Sequence, residues 1–448
     1  MSHYKPYPVY KDSGVEWLGA VPEHWAVKRL KFAATLNPAV RLDLLDNQDR
    51  DVSFLPMEAI GEDGALNFEQ TRPVRDVRNG YSYFEDGDVA FAKVTPCFEN
   101  GKGALMQGLL DSAGFGTTEL TVLRPNTKTT DARYLHYVVQ STRFRALGVG
   151  AMTGAGGLKR VPDEFTRNFP TALPDRIEQE FIASHLDRET VRIDALMEKK
   201  ARFIELLREK RQALITHAVT KGLDPNVKMK DSGVEWLGEV PEHWDVKRLK
   251  FIASVQTGIA KGKDNADKDT IGVPYLRVAN VQDGYLDLDE VATIEVASAD
   301  VARYLLQPGD VLMNEGGDFD KLGRGHVWQG EIDPCIHQNH VFAVRPHSVF
   351  SEWLNTVTSS AFAQFYFMGR SKQSTNLASI SSTNLMELPV PLPSESEQLL
   401  TLEQMRSLTS RLDALLTQTE RSIILLKERR SALITAAITG QIDLREAL

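Results

Sequence analysis

The stretch KDSGVEWLGAVPEHWAVKRLKFAA at residues 11–34 returns as KDSGVEWLGEVPEHWDVKRLKFIA at 230–253. The copies differ only at Ala20/Glu239, Ala26/Asp245 and Ala33/Ile252. A second pair, LREKRQALIT at 207–216 and LKERRSALIT at 426–435, keeps the same offset of 219 residues. What lies between matches poorly. The chain therefore reads as two copies of one unit, each a near-constant frame around a divergent insert. Self-similarity at one fixed offset is the sequence trace of a repeated structural unit.

With 448 residues the chain is long enough for two or three domains. Its 42% hydrophobic and 25% charged residues are an ordinary globular composition. No apolar run approaches a membrane span, and the opening MSHYKPYPVY has no hydrophobic centre of the signal-peptide kind. Cys97 and Cys335, one per repeat, give no disulfide framework, so a reducing, cytoplasmic setting is expected. The net charge of −9 argues against a generic nucleic-acid coat. It leaves room for a DNA reader whose positive charge is local or borrowed from a partner.

The division expected along the chain is a leader with a first insert (1–175), a long helix (176–221), a linker with the repeated leader (222–254), a second insert (255–394), and a second long helix with its tail (395–448). Trp17, Leu18, Val21, Trp25, Leu30 and Phe32 make the leader a compact apolar piece whose tryptophans serve packing. Lys28, Arg29 and Lys31, with Lys247, Arg248 and Lys250, read as a solvated face before a phosphate contact. In the first insert VSFLPMEAI, GDVAFAKV and TELTVLRP have strand character. DARYLHYVVQSTRFRALGV reads as one helix capped by Asp131, followed by the loop TGAGGLKRVP. The second insert keeps that order with VPYLRVANV, GDVLMNEGG and NHVFAVRP, a helix near SEWLNTVTSSAFAQFYFM, and the loop GRSKQSTNLASIS. Order persists while residues change, as expected of one scaffold with two different loop surfaces.

In the long helices Ile193, Leu196, Phe203, Leu207 and Leu214 form an apolar seam widened by Met197, Ile204 and Ile215. Leu412, Leu415, Ile423, Leu426 and Leu433 repeat it, and Lys200, Lys210 and Thr419 interrupt it. Forty helical residues span about 60 Å, so such a stripe needs a partner, and the nearest is its own repeat. Two like units pairing about a two-fold axis place the helices antiparallel. The fold class expected is α+β, two mixed α/β domains separated by two long helices packed as an antiparallel coiled coil, with a pseudo-two-fold internal repeat. The tail GQIDL then ends where the first leader begins.

Catalytic patterns are missing from the sequence. There is no GxxxxGK(S/T) phosphate loop and no HExxH. Gly154, Gly156 and Gly157 match a nucleotide loop in composition only. Cys335, His337 and His340 suggest zinc, but on a strand 335 and 337 share a face that 340 leaves, and a fourth ligand is lacking. The informative loops carry side chains suited to base edges. In the first insert these are Lys93, Thr95, Asn100, Lys102, Thr153, Lys159 and Arg160. In the second they are Asn314, Glu315, Lys321, Arg324, His326, Gln338, Asn339, Lys372, Gln373, Thr375 and Asn376. Arg and Lys suit guanine, Asn and Gln suit adenine, and Glu accepts from cytosine. Each alone is an ordinary surface residue; two such sets at matching places in a repeat are not.

The duplicated leader, the KVTPCFENGKG loop, the NEGGDFDKLGRG and QNHVFAVRP strings and the paired LREKRQALIT helices resemble type I restriction–modification specificity subunits (HsdS) over nearly the whole chain. That resemblance implies two target-recognition domains, each reading one half of a bipartite DNA site in the major groove, with the helix pair setting the spacer. It also implies a non-catalytic chain without cofactors of its own. Its partners would be two methyltransferase subunits that use S-adenosylmethionine, and restriction subunits that use ATP and Mg. Arg208, Arg211, Lys427 and Arg430 on the long helices are the partner-binding candidates. The rival readings are a free-standing DNA-modifying enzyme, which the missing cofactor motif disfavours, and a coiled-coil scaffold for protein alone, which the Asn/Gln/Arg/Lys loops disfavour.

Overall fold

The computed structural model describes residues 4–155, 157–260, 269–317, 322–373 and 378–445. The chain forms two compact units, residues 1–200 with 421–448, and residues 201–420. Two long helices, α1 (Arg176–Lys221) and α2 (Glu395–Ile438), contribute residues to both. Among the described residues no helix is long and apolar enough to cross a membrane.

In the first unit the leader folds as a hairpin, Tyr10–Asp12 against Ala20–Pro22. The strand Ala26–Arg29 then pairs with Pro170–Leu173, the last strand before α1. Between these ends the insert builds two four-stranded sheets. One runs in the order Ala34–Leu36, Leu120–Pro125, Val89–Ala92, Gly103–Leu105; the other runs Thr71–Pro73, Asp51–Leu55, Ala113–Gly116, Ser82–Glu85. Trp25, Leu30, Tyr134, Phe144, Phe169 and Leu186 form the core, with Ile434, Ala437 and Ile438 of α2 and Leu444 of the C-terminal tail among them. The tail lies against the leader: Tyr10 Oη donates to Gly440 O (3.0 Å), and Asp443 N donates to Lys5 O (2.7 Å). Gly440 sits at φ +72° just past the helix, the left-handed stop that glycine makes easy, and any Cβ there would strike Pro22.

The second unit repeats the plan with different residues. Met229–Asp231 pairs with Glu239–Pro241, and Asp245–Arg248 with Pro389–Leu392. Its main sheet, Ala253–Thr257, Val341–Pro346, Val311–Asn314, Gly325–Val327, has the order of the first unit's counterpart. Each main sheet is tied by a buried carboxylate held in a two-pronged grip by an arginine on the next strand, Asp88 by Arg124 and Asp310 by Arg345, with N–O distances of 2.7–2.8 Å. The repeated GDV and RP strings are the sequence trace of that bond.

The helix after each main sheet is two helices where one was expected. Ala132–Gln140 and Thr142–Ala151 break at Ser141; Ser351–Thr358 and Ala361–Arg370 break before Ser360. Both serines have extended backbone and accept from the N–H three residues on, starting a new helix in place of continuing the old one. Asp131 caps as expected, accepting from Arg133 N and Tyr134 N.

The buried stripe of α1 follows Leu186, Thr190, Ile193, Met197, Lys200, Ile204, Leu207 and Arg211. That of α2 follows Met405, Thr409, Leu412, Leu416, Thr419, Ile423, Leu426 and Arg430, the same positions 219 residues on. Steps alternate between three and four, the coiled-coil period. Leu196, Phe203 and Leu415, expected in the seam, are exposed one position off it, and Lys210 is exposed as well. Lys200 and Thr419 lie within the stripe, Thr419 giving its hydroxyl to Leu415 O (2.7 Å). In the first unit Arg430 pairs with Asp194 (3.0 Å), and in the second Arg211 pairs with Asp413 (3.0 Å). These are one ion pair with the two helices exchanged, since Asp194 and Asp413, like Arg211 and Arg430, are 219 residues apart.

Candidate nucleic-acid interface

In the first unit three segments meet at one end of the main sheet. Lys93 continues the strand Val89–Ala92; its N–H donates to Glu119 O (2.8 Å), and its carbonyl accepts from Val161 N (2.8 Å). The loop after the helices is a hairpin closed by Thr153 and Arg160 (N–O 3.0 and 2.9 Å). Thr95 binds it by backbone N–H and hydroxyl, both to Lys159 O, and accepts from Lys159 N at 2.9 Å. Lys93, Thr95, Thr153, Lys159 and Arg160 are thus brought together. Glu119 grips Arg160 through Nε and Nη2 (2.8 and 2.5 Å), and that guanidinium holds the Glu119 carboxyl below its ordinary range. Asn100 and Lys102 turn away from this group. The first donates to Glu62 Oε1 (2.8 Å), and the Lys102 ammonium donates to Met57 O (3.1 Å).

The second unit makes the same junction. Glu315 N donates to His340 O (2.9 Å), Ile380 N donates to Glu315 O (2.9 Å), and Lys372–Gln373 pairs with Ala378–Ser379. Glu315 Oε2 lies 2.7 Å from His340 Nδ1. Glu315, His340, Gly316, Gly317, Ala378 and Ser379 with Val278 line a recess of about 430 Å³. Lys372 and Gln373 are exposed on its hairpin. Asn314 is placed elsewhere: it is buried, its amide donating to Val281 O (2.8 Å), so it serves the core and not a surface. His326 is half-buried with Nδ1 enclosed, and Gln338 Oε1 accepts from Val278 N (3.4 Å). Asn339 lies beside His340, and Arg324 lines a separate recess of about 590 Å³ with Gln212, Asp283 and Gln364. Lys321, Thr375, Asn376 and Gly156 lie outside the described residues.

Cys335, His337 and His340 do not converge. The Cys335 thiol faces Ile336 O, with burial pushing it up to about 12; His337 Nδ1 bonds Val341 O (2.8 Å), and His340 turns to Glu315. Of the leader cations, Arg248 and Lys250 both reach Glu387 (2.6 and 2.5 Å), and Arg29 donates to Asn168 Oδ1 (3.2 Å).

No protein-family model matches the chain. It is 26% identical to the EcoAI type I restriction enzyme specificity subunit of Escherichia coli, over 88% of this chain and 79% of that one. It is 37% identical to the EcoEI specificity subunit of the same species over 177 residues, 39% of this chain and 29% of the relative. Both relatives are type I restriction enzyme specificity subunits, and the likeness to the first spans most of this chain. Two solved structures share the fold. One, from work on assembly and conformational transition of the type I R-M system, gives a TM-score of 0.74 at 18% identity, covering 94% of this chain and 99% of that one. The other, the HsdS subunit from Thermoanaerobacter tengcongensis, gives 0.55 at 18%, covering 94% and 98%.

In this fold three of the four helix cations singled out from sequence are spent on the helix pair itself. Arg208 binds Glu420 (3.1 Å), Arg211 binds Asp413, and Arg430 binds Asp194, while Lys427 is exposed. Glu119 and His340 were missed as site residues. The signal was available only on aligning the two inserts, where both precede the last strand of the main sheet.

Proposed function

We propose that the chain is the DNA-reading subunit of a type I restriction–modification complex, each insert reading one half of a bipartite, asymmetric site in the major groove. The observation that carries this is the repeated junction, one backbone framework presenting Lys93, Thr95, Lys159 and Arg160 in one unit and Glu315, His340, Lys372 and Gln373 in the other. A scaffold that keeps its bonds and changes its outward side chains suits two different sequences read by one geometry. The helix pair fixes the unread spacer. The subunit performs no chemistry; methyl transfer with S-adenosylmethionine, and translocation and cutting with ATP and Mg, belong to partner chains. Selection of randomised duplex DNA by the full chain tests this, with and without co-expressed methyltransferase. A two-part motif with a constant gap is expected; enrichment of no motif would refute it.

Two identical methyltransferases need two equivalent docking patches, so the patch lies where the repeats agree. Phe32 and Phe251 are repeat equivalents in the leader, 64% and 63% exposed, each with its neighbouring lysine over the ring at 5.5 and 5.3 Å. Leu206 and Leu425, also equivalents, are exposed on the helices. Such large apolar side chains at the surface fit a protein interface. Phe32→Ala and Phe251→Ala are each expected to remove one of two bound methyltransferases, read as complex mass in solution. An unchanged stoichiometry in the double variant would exclude this patch.

A further inference from the structure

Two backbone bonds recur at matching places in the two junctions. Lys93 N to Glu119 O matches Glu315 N to His340 O, and Val161 N to Lys93 O matches Ile380 N to Glu315 O. Lys93 therefore stands opposite Glu315, and Glu119 opposite His340. The hairpin pairings Thr153–Arg160 and Lys372–Ser379 set Thr153 opposite Lys372 and Arg160 opposite Ser379. Within this constant frame the carboxylate and its partner change places. In the first unit the carboxylate is on the segment before the last strand, with its arginine on the hairpin. In the second the carboxylate is on the first segment, its partner is a histidine, and the hairpin position is a neutral serine. Folding does not demand either arrangement, since the same backbone forms with both.

We propose that this junction is where the two inserts part in the base edges they select. Glu315 with His340 determines specificity in the second insert, and Glu119 with Arg160 and Lys93 in the first. The inference rests on the DNA-reading role proposed above. His340 holds one oxygen of Glu315 at the wall of a recess whose Gly316 and Gly317 let a base edge come close. A carboxylate there accepts from an exocyclic amino group such as that of cytosine. In the first insert Glu119 takes Nε and Nη2 of Arg160 and so fixes the guanidinium plane, with Lys93 on the adjoining segment. Fixed cations favour the paired acceptors of guanine. The two inserts thus offer opposite hydrogen-bonding character from one position.

The test is selection of randomised double-stranded DNA by the full chain, comparing wild type with Glu315→Gln and Glu119→Gln. Glu315→Gln is expected to shift base preference about tenfold at one position of one half-site and leave the other half-site unchanged. Glu119→Gln does the converse. His340→Gln and Ser379→Arg, chosen in case Glu315→Gln fails to fold, alter the same half-site as Glu315→Gln; thermal melting checks the fold of each. Variants that weaken binding to all sequences equally, or that keep the wild-type motif, overturn the inference while a two-part wild-type motif leaves the DNA-reading role standing. A wild-type chain that enriches nothing overturns both.

Discussion

Trp25 and Trp244 occupy the same place in the two leaders and both are fully buried, yet their indole N–H groups fare differently. Trp244 Nε1 donates to Glu397 Oε1 (3.0 Å), while Trp25 Nε1 has no partner. The equivalent acid, Glu178, is taken by Tyr7 Oη and His24 Nε2, both at 2.8 Å. Phenylalanine at either position removes similar volume, so the difference isolates the bond: Trp244→Phe should cost about 1 kcal/mol more than Trp25→Phe in urea melts. His136 supplies a pH dependence. Burial first, then the Arg430 charge, lowers its pKa to about 4 against the opposing pull of Asp187, and its Nδ1 is enclosed without a partner. Between about pH 6.5 and 4 the unfolded chain binds a proton that the folded one refuses. Stability therefore falls as pH drops through that window, by up to about 3 kcal/mol. Comparing urea midpoints of wild type and His136→Gln at pH 7.5 and 4.5 should show a smaller loss in the variant. At this scale only part of the site is legible in the sequence. The paired tryptophans were readable from repetition, but whether Asn314 faced a groove or the core depended on Val281, a neighbour in space that no local pattern names.

Among the elements, the long helices were legible in length and partner because their stripe and its repeat shared one offset. Which stripe faces the partner was less so. Leu196 and Phe203 sit beside Met197 and Ile204, both faces are apolar, and only pairing with the second helix chooses between them. Leu207→Ala should cost about 2–5 kcal/mol, and Leu196→Ala under about 0.5 kcal/mol. The two Arg–Asp pairs are part-exposed and each is worth at most about 1 kcal/mol, so their role is register more than stability. Inserting seven residues at matched points of both helices keeps the stripe aligned and lengthens them by about 10 Å, roughly three base pairs of rise. The selected DNA motif should then gain a spacer about three base pairs longer; an unchanged gap would remove the helices from that role. The broken helices after each main sheet escaped the reading because the apolar spacing continues across Ser141 and Ser360, and only their capping bonds reveal the stop.

For the whole molecule, duplication explains both what is constant and what is not. The leaders, the buried Asp–Arg grips and the helix stripes recur because each copy must build the same frame. The inserts diverge at the junctions because the proposed ligand halves differ. The sequence carried the frame in plain repetition. It hid the site, since Lys93, Glu119 and Arg160 come together only through strand order. If each insert reads its own half-site from an interchangeable position, replacing residues 254–388 with a second copy of 35–169 should change the motif that the full chain selects from randomised duplex DNA. The asymmetric motif is expected to become an inverted repeat of one original half with the gap retained. Recovery of the original asymmetric motif would contradict it.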